Sequence, residues 1–380
     1  MLEIEKLSYW ERKSYFEDID LLIIGAGIVG YSSAIHFAEL NPSAKILILE
    51  RGYLPSGASS KNAGFTCFGS ATELIDDLQS MSEKEVWKTV KLRWDGLQNI
   101  ISLIGKEELG LETNGSWDLI TNTDSELFKT TISKLDYLNT KIEEITGEKN
   151  VYSVDNSICE KTGFEQIKTS IYNRLEGQID TSKMNDAFYR IAITKGIRIL
   201  FGTEVTELKS SLSMPLIKSK YGDISARKIA ICTNGFASQF LPKEDIQPAR
   251  AQVLITKPIP NLKIKGTFHY DRGYYYFRNI DGRILLGGGR NLDFEGETTT
   301  ELSNTDFVLR RLSDILSTVI LPNTPYEIDY SWAGIMGVGK TKMPIIKKVE
   351  DSIYCGVRLG GMGIAIGTLV GQELAIIIDS

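Results

Sequence analysis

Residues 20–52 read as one uninterrupted unit of strand, glycine turn, helix and strand, and this unit constrains the chain more than any other stretch. The apolar run Leu21, Leu22, Ile23 and Ile24 suits a strand buried on both faces. It passes directly into Gly25, Ala26, Gly27, Ile28, Val29 and Gly30, then into a helical pattern, then into a second apolar run ending at Glu50. Each part has a mechanical reason. Gly25 permits the tight turn, Gly27 lets the backbone come up against a pyrophosphate, and Gly30 lets the helix pack closely on the strand. Ile28 and Val29, at the start of the helix, present free N–H groups to the phosphates. Glu50 falls where a carboxylate accepts hydrogen bonds from the ribose hydroxyls of an adenosine, with Arg51 beside it among the expected contacts. The unit predicts a bound adenine dinucleotide.

Length and charge bound the rest. A chain of 380 residues is expected to form two lobes. The formal net charge of -6 gives no electrostatic footprint for nucleic acid, and Lys347-Lys348 and Arg310-Arg311 read as solvated surface. Cys67, Cys159, Cys232 and Cys355 are far apart and lack zinc spacing, so no metal site is expected. Cys232 and Cys355 lie inside apolar runs and read as reduced core residues. Residues 1–18 are charged without a signal-peptide apolar core, and no run approaches the length of a membrane span. A reducing cytoplasm fits these features.

Along the chain, a loop rich in Gly, Ser, Ala and Asn covers 56–70. Helical spacing of Val86, Val90, Leu97 and Ile101 predicts a helix over 82–104. A strand follows at 117–120 and a helix at 124–139. Thr181 or Asp180 caps another helix whose apolar face carries Met184, Phe188, Ile191 and Ala192. Short strands are expected at 197–201, 204–208, 215–219 and 228–233, then at 252–256, 273–279 and 283–287. A helix at 304–316 interrupts them. The chain closes with a strand at 352–357, the turn Gly360-Gly361-Met362-Gly363, and an apolar helix ending at Ile378. Both chain ends therefore belong to the dinucleotide lobe, and the middle contributes a sheet that closes over it.

The first motif alone does not separate NAD from FAD. The loop Ser59, Ser60, Lys61, Asn62, Ala63 and Gly64 can run along a pyrophosphate and let Ala63 and Gly64 approach a flat ring, although a plain surface loop would read the same. The buried strand ending in Thr233, Asn234 and Gly235 is expected on the adenosine side, with Val205 among the contacts. Gly360, Gly361, Met362, Gly363 and Ile364 open a helix whose N–H groups suit negative charge on a reduced flavin.

With these segments in order, the chain resembles the FAD-dependent D-amino-acid oxidase, glycine oxidase and sarcosine oxidase superfamily. Within it, the series LSYWERKSYFED, GASSKNAGF, GRILLGGGR, WAG and MPII most resembles the gamma-glutamylputrescine oxidoreductase-like branch. The likeness extends from Leu7 to Ile378. It implies an α/β fold: a discontinuous Rossmann-type FAD-binding lobe (1–90, 145–240 and 330–380) with an α+β mixed-sheet substrate lobe (91–144 and 241–329). It also implies oxidation of a C–N bond of an amine or amino acid to an imine by hydride transfer to flavin N5, with oxygen or another acceptor taking the electrons.

Such chemistry needs positioning more than a protein base. Strand alternation puts Tyr274 and Tyr276 on one face and Tyr275 on the other, and the first pair is expected over the flavin. His269, read as lying just upstream of that strand, and Arg290, after Gly287-Gly288-Gly289, complete the catalytic candidates. Ordinary sheet packing and an exposed surface arginine are the competing readings of the tyrosines and of Arg290. The family runs Trp332 and Gly334 beside the flavin ring. After Trp-x-Gly, D-amino-acid and glycine oxidases carry an arginine-proline pair whose arginine clamps the substrate carboxylate, a fork that is hard to replace. This chain reads Ile335-Met336-Gly337, against a simple D-α-amino acid held in that way. The sarcosine oxidases tether flavin through a cysteine in this region. Between Tyr330 and Lys348 there is none, so the resemblance implies noncovalent FAD. Their oxygen-activating lysine matches Leu285 without gaps, which leaves a dehydrogenase open. An NAD(P)-dependent dehydrogenase and a flavin-bearing RNA-modification component are the alternatives. The first offers no role for 360–363, and acidity with no basic extension speaks against the second.

Overall fold

The computed structural model describes residues 4–121, 125–210 and 214–380. Its first layer is a six-stranded sheet in the order Ile345–Glu350, Ile353–Val357, Lys228–Ile231, Leu21–Ile24, Ile46–Leu49, Arg198–Leu200. All neighbours are parallel except the antiparallel edge pair Ile345–Glu350 and Ile353–Val357. Strands Leu21–Ile24 and Ile46–Leu49 are buried at every position, as apolar runs without alternation require.

Helices Ile28–Leu40 and Gly363–Asp379 lie against each other beside this sheet. Missing side chains make the approach possible: a Cβ on Gly367 would stand 2.7 Å from Ile28 Cγ2, and one on Gly371 2.4 Å from Ser32 Cβ. The Ser32 hydroxyl donates to Thr368 O at 2.7 Å. A third helix, Glu83–Ile104, closes on the same bundle, where a Cβ on Gly96 would meet Ala365 O at 2.0 Å. Both chain ends thus share one lobe.

The second layer is an eight-stranded mixed sheet in the order Ile328–Val338, Gln247–Thr256, Arg283–Gly288, Tyr275–Ile280, Thr267–Tyr270, Ser116–Thr121, Ile167–Asn173, Tyr152–Asp155. Only Thr267–Tyr270 and Ser116–Thr121 pair in parallel. Helix Asp306–Ile315 packs its Val308, Leu312 and Ile315 beneath it.

The lobes divide the chain differently from the expected boundaries. Strands Tyr152–Asp155 and Ile167–Asn173 belong to the second sheet because Ser116–Thr121 needs a partner on its free edge. Strand Ile328–Val338 likewise finds its ladder on Gln247–Thr256. Helix Glu83–Ile104 stays whole in the dinucleotide lobe, so a boundary at 90 would cut it. The helix expected over 124–139 is two, Ser125–Ser133 and Leu135–Thr146, and position 124 lies outside the described residues. Cys232 and Cys355 are buried and all four cysteines are free among the described residues. Among the same residues no helix is long and apolar enough to cross a membrane.

Candidate active site

A cavity of about 710 Å³ opens between the two layers, within the range of cofactor sites. Gly25 and Gly363, from opposite ends of the chain, line it together. So do Gly27, Ile28, Val29, Glu50, Arg51, Ser59, Lys61, Asn62, Ala63, Gly64, Val205, Thr233, Asn234, Gly334, Gly360, Gly361, Met362 and Ile364.

The glycine turn is shaped as its spacing predicts. Gly25 sits at φ +107, where a Cβ would also press on Cys232 O at 2.8 Å. A Cβ on Gly27 would meet Ser59 Oγ at 2.9 Å, inside the cradle itself. Gly30 does not line the cavity. Its role is packing, since a Cβ there would lie 2.0 Å from Gly25 O. Glu50 is buried, and its carboxylate accepts from Ala26 N at 3.0 Å and Gly52 N at 2.9 Å. It therefore braces the turn as well as facing the cavity. Ile28 N donates to Ser59 Oγ at 3.0 Å, so one helix N–H is shared with the loop rather than free. At the other end Asn234 Oδ1 accepts from Leu359 N at 3.1 Å and fixes the turn before helix Gly363–Asp379. A glycine-lined cradle between two helix starts whose N-cap residues make no side-chain cap hydrogen bond fits the pyrophosphate of a dinucleotide.

The loop 57–64 is anchored throughout. Asn62 accepts from Gly64 N at 2.9 Å and from Thr181 Oγ1 at 3.0 Å, and its amide donates to Ser59 O at 2.8 Å. Trp332 Nε1 donates to Lys61 O at 3.0 Å. Buried Arg278 donates to Gly64 O at 3.1 Å and Ile179 O at 2.7 Å, and burial depresses its guanidinium to about 10. Gly64 is required, because a Cβ would strike Arg278 Nη1 at 2.3 Å. The plain surface loop is excluded.

Ser60, Gly235 and Trp332 were expected as contacts and are not part of the cavity wall. The Ser60 hydroxyl turns back to Gly57 O at 3.1 Å. Gly235 packs on strand Ile328–Val338, 2.4 Å separating its would-be Cβ from Met336 O. Trp332 acts through Lys61. Helical and strand spacing could not reveal which side these residues face.

His269, Tyr274, Tyr276 and Arg290 all line the cavity. His269 lies just upstream of the tyrosine strand, within a strand of its own, Thr267–Tyr270, and pairs with Tyr276. Tyr276 in turn pairs with Gly287, whose absent side chain leaves room for the phenol ring, 2.6 Å from a would-be Cβ. Burial pushes the Tyr276 phenol up to about 12. Tyr275 is buried in the core on the opposite face. Phe65 stands edge-on to both His269 and Tyr276, with centroids 5.6 Å apart in each case. Arg290 stacks over Phe294 at 5.0 Å, burial depresses its guanidinium, and its Nε has no partner among the described residues. It is a half-buried cavity residue rather than a fully exposed one. Leu285 is buried beside Ala63, Val253 and Ile255.

Sequence reasoning missed an ion network on the same wall. Lys342 Nζ donates to Glu73 at 2.8 Å and Asp77 at 2.7 Å, and Arg93 donates to Glu73 at 3.1 Å. Burial raises the Glu73 carboxyl, but Arg93 and Lys342 outweigh it and hold it far below the usual range. Partners so distant in sequence leave no local signal.

Fold and cavity define a dinucleotide-binding redox protein of two interleaved lobes. The model of the DAO family, FAD dependent oxidoreductase, matches residues 20–376, and the chain belongs to that family. It is an FAD-dependent oxidoreductase. The chain is 21% identical over 369 residues to gamma-glutamylputrescine oxidoreductase of Escherichia coli (strain K12), covering 94% of this chain and 82% of the relative. Glycine oxidase from Geobacillus kaustophilus superposes with a TM-score of 0.76 at 18% identity, covering 95% of this chain and 94% of that one. L-proline dehydrogenase from P. horikoshii gives 0.72 at 20% identity, covering 95% and 93%.

Proposed function

We propose that the protein oxidises a C–N bond of a small amine or amino acid to the imine, which water hydrolyses, with oxygen or another acceptor taking up the electrons. One observation carries the reading: His269, Tyr274, Tyr276 and Arg290 share a single cavity with the glycine turns of both chain ends. Gly25, Gly27, Glu50, Ser59, Lys61, Asn62, Ala63, Gly64 and residues 360–364 would hold FAD noncovalently, and the bound flavin would supply a two-electron acceptor. The protein's own part is positioning. Tyr276 and Phe65, edge-on to each other in the cavity wall, would shape the space for substrate, and Arg290 would offer a cation with a free donor to a substrate carboxylate. Tyr274, 43% exposed, stands at the mouth. Relatives and structural neighbours named for amine and amino-acid oxidation support the substrate class.

Anaerobic mixing of the yellow protein with a panel of amines and amino acids tests this. The expected result is bleaching of the flavin by one chemical group of the panel, and recolouring in air at a rate that separates oxidase from dehydrogenase. A flavin reduced by none of them, yet reducible by dithionite, sinks the reading.

A further inference from the structure

Behind the cavity wall stand carboxylates that cofactor binding does not use. Strand register places Asp118 opposite His269, and His269 opposite Tyr276. Registered residues share a face, so the three form one cross-strand row. Tyr276 and His269 reach the cavity, while Asp118, 5% exposed, lies deeper.

Glu176 joins them from the turn after strand Ile167–Asn173 and is fully buried. Each carboxylate has one oxygen fixed by the segment 68–72. Asp118 Oδ2 accepts from Thr72 N at 3.0 Å and Thr72 Oγ1 at 3.2 Å. Glu176 Oε1 accepts from Phe68 N at 2.8 Å and Gly69 N at 3.0 Å. The other oxygens, Asp118 Oδ1 and Glu176 Oε2, are buried without a hydrogen-bond partner among the described residues, and so is His269 Nε2. Burial pushes both carboxyls up, and the His269 imidazole is the foremost influence drawing each back down. Asp118 also raises Glu176.

A purely structural pair would need only acceptors for those backbone groups. Amides at both positions would provide them without the cost of burying two neighbouring charges. What two carboxylates add is compensation for a cation, and His269 is the base that stands in register with Asp118 and acts on both carboxyls. The other titratable or charged groups of this region are Cys67, Tyr152, Tyr274, Tyr276, Arg272, Arg290 and the Glu73–Asp77–Arg93–Lys342 network. Of these the tyrosines carry no charge near neutral pH, and Glu73 is already committed to its own cations.

We propose that His269 takes the proton of the substrate ammonium, and that Asp118 and Glu176 are positioning residues that hold this proton on the imidazole during oxidation. The inference rests on the amine reading above. Hydride loss from carbon needs a lone pair on the adjoining nitrogen, whereas an aliphatic amine arrives protonated. In the step, the ammonium N–H bond breaks and an N–H bond forms on the imidazole. The electron pair stays on the amine nitrogen, so no oxidant enters.

The chain contains only two histidines, so ring signals of the FAD-loaded, histidine-labelled protein report His269 beside one reference. That reference is His36, whose Nδ1 lies 2.8 Å from Ser32 O in the first lobe. In Asp118→Asn and in Glu176→Gln, His269 is expected to bind its proton about tenfold more weakly than in the parent, with His36 unmoved. Coincident His269 titrations in the parent and both variants would overturn the proposal. Should neither variant fold, the parent decides alone: reversible protonation of His269 supports the relay, and a ring neutral throughout the pH range of the folded protein sinks it. No amine is present, so this result is separable from the amine panel. Flavin bleached by amines beside coincident titrations leaves the oxidoreductase reading intact and removes the relay.

Discussion

Gly371 faces Ser32 so closely that a Cβ on the glycine would stand 2.4 Å from the serine Cβ. This contact lets helix Gly363–Asp379 lie against helix Ile28–Leu40, and so brings the two helix starts to one cradle. Gly371→Val is therefore expected to lose about 1–3 kcal/mol of stability through overpacking and to retain less FAD. Thermal unfolding and the flavin-to-protein absorbance ratio check it; unchanged FAD content at lowered stability would uncouple helix packing from the cradle.

Glu50 braces Ala26 N and Gly52 N while facing the cavity. Glu50→Ala leaves a buried N–H without its acceptor, at a cost of about 1–3 kcal/mol. It should also weaken FAD more than FMN, which lacks the adenosine. Titration of apoprotein with both flavins measures the contrast, and equal losses would remove the ribose contact.

Cys67 and Cys232 line the cavity, but burial raises both thiols well above their ordinary value. The thiol form is a poor nucleophile. Trichloroacetic acid should release all yellow colour into the supernatant. Colour retained in the pellet would establish a covalent link.

Arg290 has a buried Nε without a partner among the described residues. If it meets a substrate carboxylate, Arg290→Gln should weaken that interaction by about 1.5–3 kcal/mol. Steady-state kinetics would then show KM raised about tenfold or more for a carboxylate-bearing substrate, with simple amines little affected. Equal effects on both would move the carboxylate contact elsewhere.

Glu73 joins Arg93 to Lys342. Its folded-state carboxyl is held below the ordinary 4.5, so its contribution to stability is complete above about pH 4.5 and fades as pH falls below that. Glu73→Gln should cost about 2 kcal/mol at neutral pH, and the gap from the parent should narrow in acid. Denaturant unfolding at pH 7 and at pH 4 follows it; a gap that does not change with pH would mean that charge pairing contributes nothing.

Much of the site was legible locally. The glycines at 25 and 30 answer a contact beside the neighbouring strand and within a few residues of chain, respectively, whereas Gly27 answers Ser59 of the 57–64 loop. Alternation sorted Tyr274 and Tyr276 from Tyr275 because strand period alone fixes the face. By contrast, no pattern marks His269 as a strand residue, since its ladder partners Asp118 and Tyr276 come from other segments. Ser60 shares the small, polar character of Ser59, yet only Ser59 turns toward Ile28 N.

By itself, then, the amino-acid order determined the dinucleotide unit and the terminal glycine turn, because these follow from the conformations and side-chain periods of short runs. Tertiary structure alone decided which strands share a sheet, where the lobes divide, and which charges meet, as Lys342 meets Glu73. Such pairings depend on register and on the approach of distant surfaces, and neither quantity is written in any short stretch of chain.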